Sequence, residues 1–282
     1  KIINKNSETG CVEAFTPLSF GVTTNEIATC KIDYEKKSFD EMISTIGLRG
    51  YNHTAVLSLP SKDMTDSLVI QNDGNYKIYL TCKDENGNAN PAQFIFGFCV
   101  EEGPPSQTAP IIVATSIPET SPYVGYNTEE IGFNIGVNRP AHCKWDTQDK
   151  TYDDMINIMN CGDEEAEMNL QMLYECSTTL KGIVKGDNKF YFRCKNSAEG
   201  GKANTESYPF TIKRTQELLV IDETYTSPKE TVRGSTENVK AELKIKTKKG
   251  ANEGNAICYY GEDDDYEGGA FFKTNSYEHS QE

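Results

Sequence analysis

Residues 131–137 read Ile131-Gly132-Phe133-Asn134-Ile135-Gly136-Val137; the chain continues to Cys143-Lys144-Trp145-Asp146 and later to Phe190-Tyr191-Phe192-Arg193-Cys194-Lys195. In the first run every second side chain is apolar, the period of a β-strand with one buried face. Phe190, Phe192 and Cys194 share a face by the same rule. Cys143 and Cys194 stand 51 residues apart. That spacing does not fit a C-x-x-C grip on a metal or a redox pair, and it reads as a long-range disulfide.

The same pattern occurs upstream. Laying Cys30-Lys31-Ile32-Asp33 on Cys143-Lys144-Trp145-Asp146 brings Phe20 onto Phe133, Val22 onto Ile135, Phe39 onto Tyr152, Met42 onto Met155 and, across one gap, Leu68 onto Leu180. Tyr79-Leu80-Thr81-Cys82-Lys83 then meets Tyr191 to Lys195, with Cys30 and Cys82 separated by 52 residues. Cys258, preceded by the alternating Ala241, Leu243 and Ile245 and followed by Tyr260, opens a third copy. Self-similarity at a fixed period is the mark of tandem modules. Further runs such as Ile78-Leu80-Cys82 and Phe94-Phe96-Phe98 alternate likewise and are bounded by Gly, Asn, Asp or Pro. Strands this frequent favour two packed sheets, because a lone sheet would leave an apolar face wet.

The expected organisation is therefore all-β, three tandem disulfide-stapled β-sandwiches over residues 1–107, 108–214 and 215–282, the third incomplete. The 282 residues are enough for two or three domains. The first boundary falls in the polar, Pro-rich Glu101 to Pro110, a stiff spacer that sets the domains in line, and the second near Lys213 to Glu217. One stretch breaks the β pattern: Met155, Ile158, Met159, Met168 and Met172 have the spacing of a short helical cap whose methionines fill core.

Each unit carries a cysteine on an apolar strand, an acidic loop, and a second cysteine followed by Lys and a polar hairpin. In this it resembles the immunoglobulin-like or fibronectin-type-III-like repeats of prokaryotic cell-surface and extracellular filament proteins. The likeness covers nearly the whole chain. It departs from antibody domains at Trp145, which stands two positions after Cys143 on one strand instead of on the next strand. With the first cysteine on the third strand and the second on the sixth, the bridge would join neighbours of one sheet. What the resemblance implies is an extracellular or cell-surface module, structural or adhesive, without catalysis.

The repeat pairs Cys30 with Cys82 and Cys143 with Cys194; Cys161 with Cys176 closes a local loop, and Cys11 with Cys99 joins the ends of copy one. Cys258, the ninth cysteine, is left unpaired or has its partner outside the chain. Its partner is expected beyond Glu282, so copy three is completed by a longer polypeptide or, as the rival reading, by strands donated from a neighbouring molecule.

Charge and motif content narrow the function. Asp plus Glu total 43 against 28 Lys plus Arg, a net charge of -15 that disfavours nucleic acid and anionic lipid. No apolar run is long enough for a membrane helix, so direct membrane insertion is not expected. His53, His142 and His279 lie apart, outside any hydrolase or zincin motif, and read as surface or hairpin residues. Acidic residues follow each first cysteine: Asp33, Glu35, Asp40 and Glu41; Asp146, Asp149, Asp153 and Asp154; then Glu262, Asp263, Asp264 and Asp265. Asp146, Asp149, Asp153 and Asp154 are weak calcium candidates, and interleaved lysines favour plain solvated charge. No other cofactor is implied. Asn52-His53-Thr54 is the single N-glycosylation sequon. Tyr123, Tyr126, Tyr259 and Tyr260 are candidates to stack on sugars, although such tyrosines more often fill strand edges. Expected partners are further copies of the chain, the remainder of a longer surface protein, or a glycan or cell-surface ligand. The rival functions are a carbohydrate-binding segment of a secreted enzyme and a calcium-dependent adhesion module.

Overall fold

The computed structural model describes residues 10–42, 44–60, 75–84, 86–101, 108–162, 168–228, 240–261 and 269–281. Leu68, the spacer residues 102–107 and the acidic run 262–265 lie outside them. Among the described residues regular structure is almost entirely β, with one 3-10 turn at Ala251–Gly254 and no α-helix.

The first four strands are β1 (Pro17–Asp33), β2 (Ser44–Ser58), β3 (Asn75–Asp84) and β4 (Phe94–Cys99). They form one sheet in the order β2-β1-β3-β4, with Cys30 directly opposite Cys82 across the antiparallel β1 and β3. Its buried face carries Cys30, Ile32, Leu57, Ile78 and Leu80.

Residues 112–214 contribute β5 (Ile112–Thr115), β6 (Tyr123–Val124), β7 (Glu130–Val137), β8 (Ala141–Asp146), β9 (Asn157–Ile158), β10 (Asn160–Cys161), β11 (Tyr174–Lys181), β12 (Gly186–Asn196) and β13 (Tyr208–Arg214). One sheet has the order β10-β11-β7-β5, the other β6-β13-β12-β8-β9, with β6 parallel to β13. Lettered along the chain, the first sheet is D-E-B-A. The second is G-F-C with one added strand on each edge. That is the strand order of an immunoglobulin-like sandwich. Phe133 lies at its centre, 5.3 Å from Phe192 and 5.0 Å from Phe210 between ring centroids, and all three are buried. Each such ring contributes roughly 1.5–3 kcal/mol of burial.

The two copies differ where one residue type differs. Between β7 and β8 stands Asn138-Arg139-Pro140, and Pro140, without an N–H, cannot continue a ladder. The matching residues in copy one are Asn25-Glu26-Ile27, and there β1 runs unbroken for 17 residues through what are two strands in copy two. The irregularity survives only as register shifts between Thr23 and Cys30.

The last strands, β14 (Val220–Ser227), β15 (Glu242–Lys248) and β16 (Glu278–Gln281), form an antiparallel sheet in that order. Phe271, Thr247 and His279 are buried, whereas Val220 to Thr226 are all exposed.

By internal packing the chain divides into two compact units: Lys1–Ile117, Gly132–Thr179 and Phe190–Phe210 in one, and Pro118–Ile131, Leu180–Lys189 and Thr211–Glu282 in the other.

The helical cap expected between Met155 and Met172 is absent from the described residues of that stretch. Trp145 pairs with Asn157, Lys144 with Ile158, and Cys161 with Cys176, so ladder bonds claim the backbone that a helix would need. Met155, Met159 and Met172 are buried as core, but Ile158 is 75% exposed because the strand period turns it outward.

Candidate functional site

Four disulfides join Cys11 to Cys99, Cys30 to Cys82, Cys143 to Cys194 and Cys161 to Cys176. Cys143 on β8 faces Cys194 on β12, and Cys161 on β10 faces Cys176 on β11, so each bridge lies within one sheet of the sandwich. The sulfurs of Cys143, Cys161 and Cys176 lie within 4.8 Å of one another, bringing the bridges of opposite sheets side by side. Among the described residues this is the one group of three or more His, Cys, Asp or Glu ligand atoms that converges. All its sulfurs are in disulfides and none is available as a thiolate ligand. Cys258 is unbridged and half-buried, and burial pushes its thiol up from the ordinary value.

Trp145 shares the inner face with Cys143. Its indole N–H donates to Thr178 Oγ1 at 3.0 Å, and its ring meets Phe190 edge-on at 5.6 Å.

Carboxylates of the first two acidic loops hold protein partners. Asp146 is 5% exposed; it accepts from Lys150 Nζ at 2.8 Å and from the Gln148 amide at 3.1 Å. Burial works to raise its pKa, but the Lys150 and backbone hydrogen bonds outweigh it and hold the carboxyl below the usual range. Asp149 pairs with Arg193 at 2.9 Å, and Asp154 accepts from Thr151 Oγ1 at 2.6 Å. Copy one repeats the device, with Asp33 accepting from Lys37 Nζ at 3.1 Å and the Glu35 amide at 3.0 Å. The signal was legible: in both copies an Asp ends the cysteine strand and a Lys follows four residues later.

Two histidines depart from the surface reading, since His53 and His279 are 0% and 2% exposed; His142 is exposed. His53 alternates into the core face of β2, and neither ring nitrogen has a hydrogen-bond partner among the described residues. His279 lies between two hydroxyls, Thr247 Oγ1 2.9 Å from Nε2 and Thr274 Oγ1 3.0 Å from Nδ1. Thr247 donates to the Gly254 carbonyl at 2.6 Å and so accepts from Nε2–H; Nδ1 accepts from Thr274, which itself accepts the Cys258 amide at 2.8 Å. A neutral ring satisfies every bond, and burial lowers the histidine's pKa.

The first two repeats meet within one compact unit. The turn 169–173 of copy two is organised by Asn169, whose Oδ1 accepts from the Gln171 and Leu173 amides at 2.9 and 3.1 Å. It presents Met172 at a left-handed φ of 57°. The Met172 side chain joins the buried cluster of copy one with Phe15, Leu57 and Leu59. Around it the Ser58 amide donates to the Gln171 carbonyl at 3.0 Å, Asn138 Nδ2 to the Phe15 carbonyl at 2.8 Å, and the Tyr34 hydroxyl to the Leu170 carbonyl. The Arg139 guanidinium covers the Phe15 ring at 5.3 Å. Sequence alone carried no sign of this contact.

Of the four candidate tyrosines, Tyr123 and Tyr126 share a groove of 460 Å³ with Leu218, Leu219 and Ile257. Gly250 allows its narrow floor, because a Cβ there would stand 2.9 Å from that of Leu219 and its φ is 64°. Lys213 and Lys185 lie over the two tyrosine rings at 5.7 and 4.2 Å. Tyr259 is exposed, and Tyr260 meets Phe271 edge-on at 5.7 Å, so these two do not line the groove. Asn52 is exposed on β2, its Oδ1 accepting from Thr23 Oγ1 at 3.0 Å.

No protein-family model matches the chain, and no curated protein matches it. Among solved structures it is similar to dimeric latent PorU from Porphyromonas gingivalis at TM-score 0.29 and 10% identity, over 100% of this chain and 28% of that one. It is also similar to fibronectin(III)-like modules of Clostridium thermocellum CbhA at TM-score 0.22 and 13% identity, covering 76% of this chain and 94% of that one. The D1-D4 ectodomain fragment of ICAM-5 follows at TM-score 0.24 and 11% identity, over 90% and 75% of the two chains. At such scores these likenesses add nothing to the fold assignment, which rests on the strand order.

Proposed function

We propose that this chain is part of an extracellular structural or adhesive protein, a stalk, filament subunit or surface adhesin built from tandem immunoglobulin-like domains at 1–107, 108–214 and 215–282. The observation that carries the reading is the insertion of Met172 from copy two into the core of copy one, flanked by the Ser58-to-Gln171 backbone hydrogen bond and by the Asn138 and Tyr34 side-chain bonds to backbone carbonyls. A contact of that kind suppresses motion at the joint, which suits transmitting load or holding a distal site away from a surface. Four disulfides fit an oxidising compartment, where they persist. Partners on this reading are further copies of the chain or the rest of a longer surface protein. The calcium-dependent rival is disfavoured by the protein partners already held by Asp146, Asp149 and Asp154.

A second reading, carbohydrate binding, has the Tyr123 and Tyr126 groove in its favour. Antibody labelling of intact cells of the source organism, with and without external protease, tests the surface assignment: label removed by protease supports it, and label seen only after permeabilisation refutes it. A glycan array run with the whole chain separates the two readings. Binding lost in both Tyr123→Ala and Tyr126→Ala would replace the structural role with glycan recognition.

A further inference from the structure

The Cys143–Cys194 and Cys161–Cys176 bridges are side by side in the core of the second sandwich, yet they are not equally accessible. Cys143, Cys176 and Cys194 are 0% exposed, whereas Cys161, at the edge strand β10, is half-buried. An external thiolate therefore reaches the sulfur of Cys161 first. Attack there makes a mixed disulfide at Cys161 and releases Cys176 as the leaving thiolate. That thiolate emerges in the core within 4.8 Å of Cys143, whose own bridge is intact.

We propose that the two bridges form one thiol–disulfide exchange relay, in which opening Cys161–Cys176 lets Cys176 displace Cys194 from Cys143. In the second step a Cys176–Cys143 bond forms, the Cys143–Cys194 bond breaks, and the electron pair leaves on Cys194, with no net oxidation or reduction. A dithiol reductant resolves the mixed disulfide at Cys161 and is itself oxidised to its disulfide. It supplies two electrons, and the product carries two new thiols, Cys161 and Cys194, besides the free Cys258. Cys143 lies on β8 and Cys176 on β11, so two bridges within sheets become one bridge between sheets. Copy one has a single bridge at the matching place, Cys30–Cys82, and its other bridge joins Cys11 to Cys99, so the relay belongs to copy two alone. Its ligand class is a small or protein dithiol. The rate should rise with pH, because only thiolates attack and leave.

The test uses the full native chain with limiting dithiothreitol and no denaturant, quenched in acid, labelled with N-ethylmaleimide and digested at low pH for linkage mapping. The expected species, two electrons reduced, contains a Cys143–Cys176 peptide pair with label on Cys161 and Cys194 in addition to Cys258, which is labelled from the start. A two-electron species that keeps Cys143–Cys194 and carries label on Cys161 and Cys176 overturns the proposal. New links to Cys11, Cys30, Cys82 or Cys99 also overturn it, since they mark exchange through an unfolded chain. Cys161→Ser gives a second reading without reductant: a Cys143–Cys176 link with Cys194 free supports the relay, and an intact Cys143–Cys194 bridge beside a free Cys176 refutes it.

Discussion

Replacing Met172 isolates the joint between the first two repeats, because two effects of opposite sign meet at that residue. Its side chain is 3% exposed inside the core cluster of copy one, and its backbone holds a left-handed φ of 57°. Truncating a buried Met to Ala costs about 2–5 kcal/mol through lost transfer energy and the cavity left behind. The left-handed conformation opposes any L side chain by about 1–2 kcal/mol, a penalty that glycine escapes. Met172→Ala therefore loses burial and keeps the strain, for about 2–5 kcal/mol. Met172→Gly loses the same burial and sheds the strain, so it should be more stable than the Ala variant by about 1 kcal/mol, reversing the order expected at an ordinary position. Equilibrium urea unfolding is the assay, read by the fluorescence of the single Trp145 in copy two and by far-UV circular dichroism over the whole chain. A shift under about 0.5 kcal/mol in Met172→Ala, within the range of neutral surface changes, refutes the shared core. A Gly variant weaker than the Ala variant refutes the backbone half of the reasoning.

Trp145→Ala should destabilise copy two by about 3–5 kcal/mol, and wild-type emission should be blue-shifted; red, freely quenchable emission would place the indole in water instead of against Phe190. His279 has a folded-state pKa lowered by burial below its ordinary 6.5, so the unfolded chain takes up the proton first. The stability it lends is then complete above pH 6.5 and declines as pH falls below that value through the folded pKa. Amide exchange of Ile245 and Lys246, opposite His279 and Glu278, should accelerate over that window, and an imidazole titrating at or above 6.5 by NMR would contradict it.

Much of the fold is legible in one dimension because strand periodicity is local. The alternation over Ile131 to Val137 and the nearly equal cysteine separations of 51 and 52 residues need no knowledge of neighbours, and they point to β units stapled at long range. The helical reading of Met155 to Met172 failed because the methionine spacing is compatible with either period. Ladder pairing of Asn157, Ile158 and Cys161 with distant strands decided between them. The histidines were misread for a related reason: His53 and His279 are polar by type, and only the alternation of a strand against a core shows that they point inward. The calcium candidates were visible as acids, with Lys150 close by for Asp146, but the cation of Asp149 comes from a distant strand, as Arg193.

By itself the sequence determined the β period, the repeat and the Asp-to-Lys turn that ends the strands of Cys30 and Cys143, all consequences of backbone geometry over a few residues or of copying. Only the tertiary structure decided that Met172 fills a cavity in the preceding repeat, that β1 runs through where Pro140 divides copy two, and that two bridges from opposite sheets lie within 4.8 Å. Those contacts join residues far apart in the chain, where packing of whole sheets sets the distance and no local pattern records it.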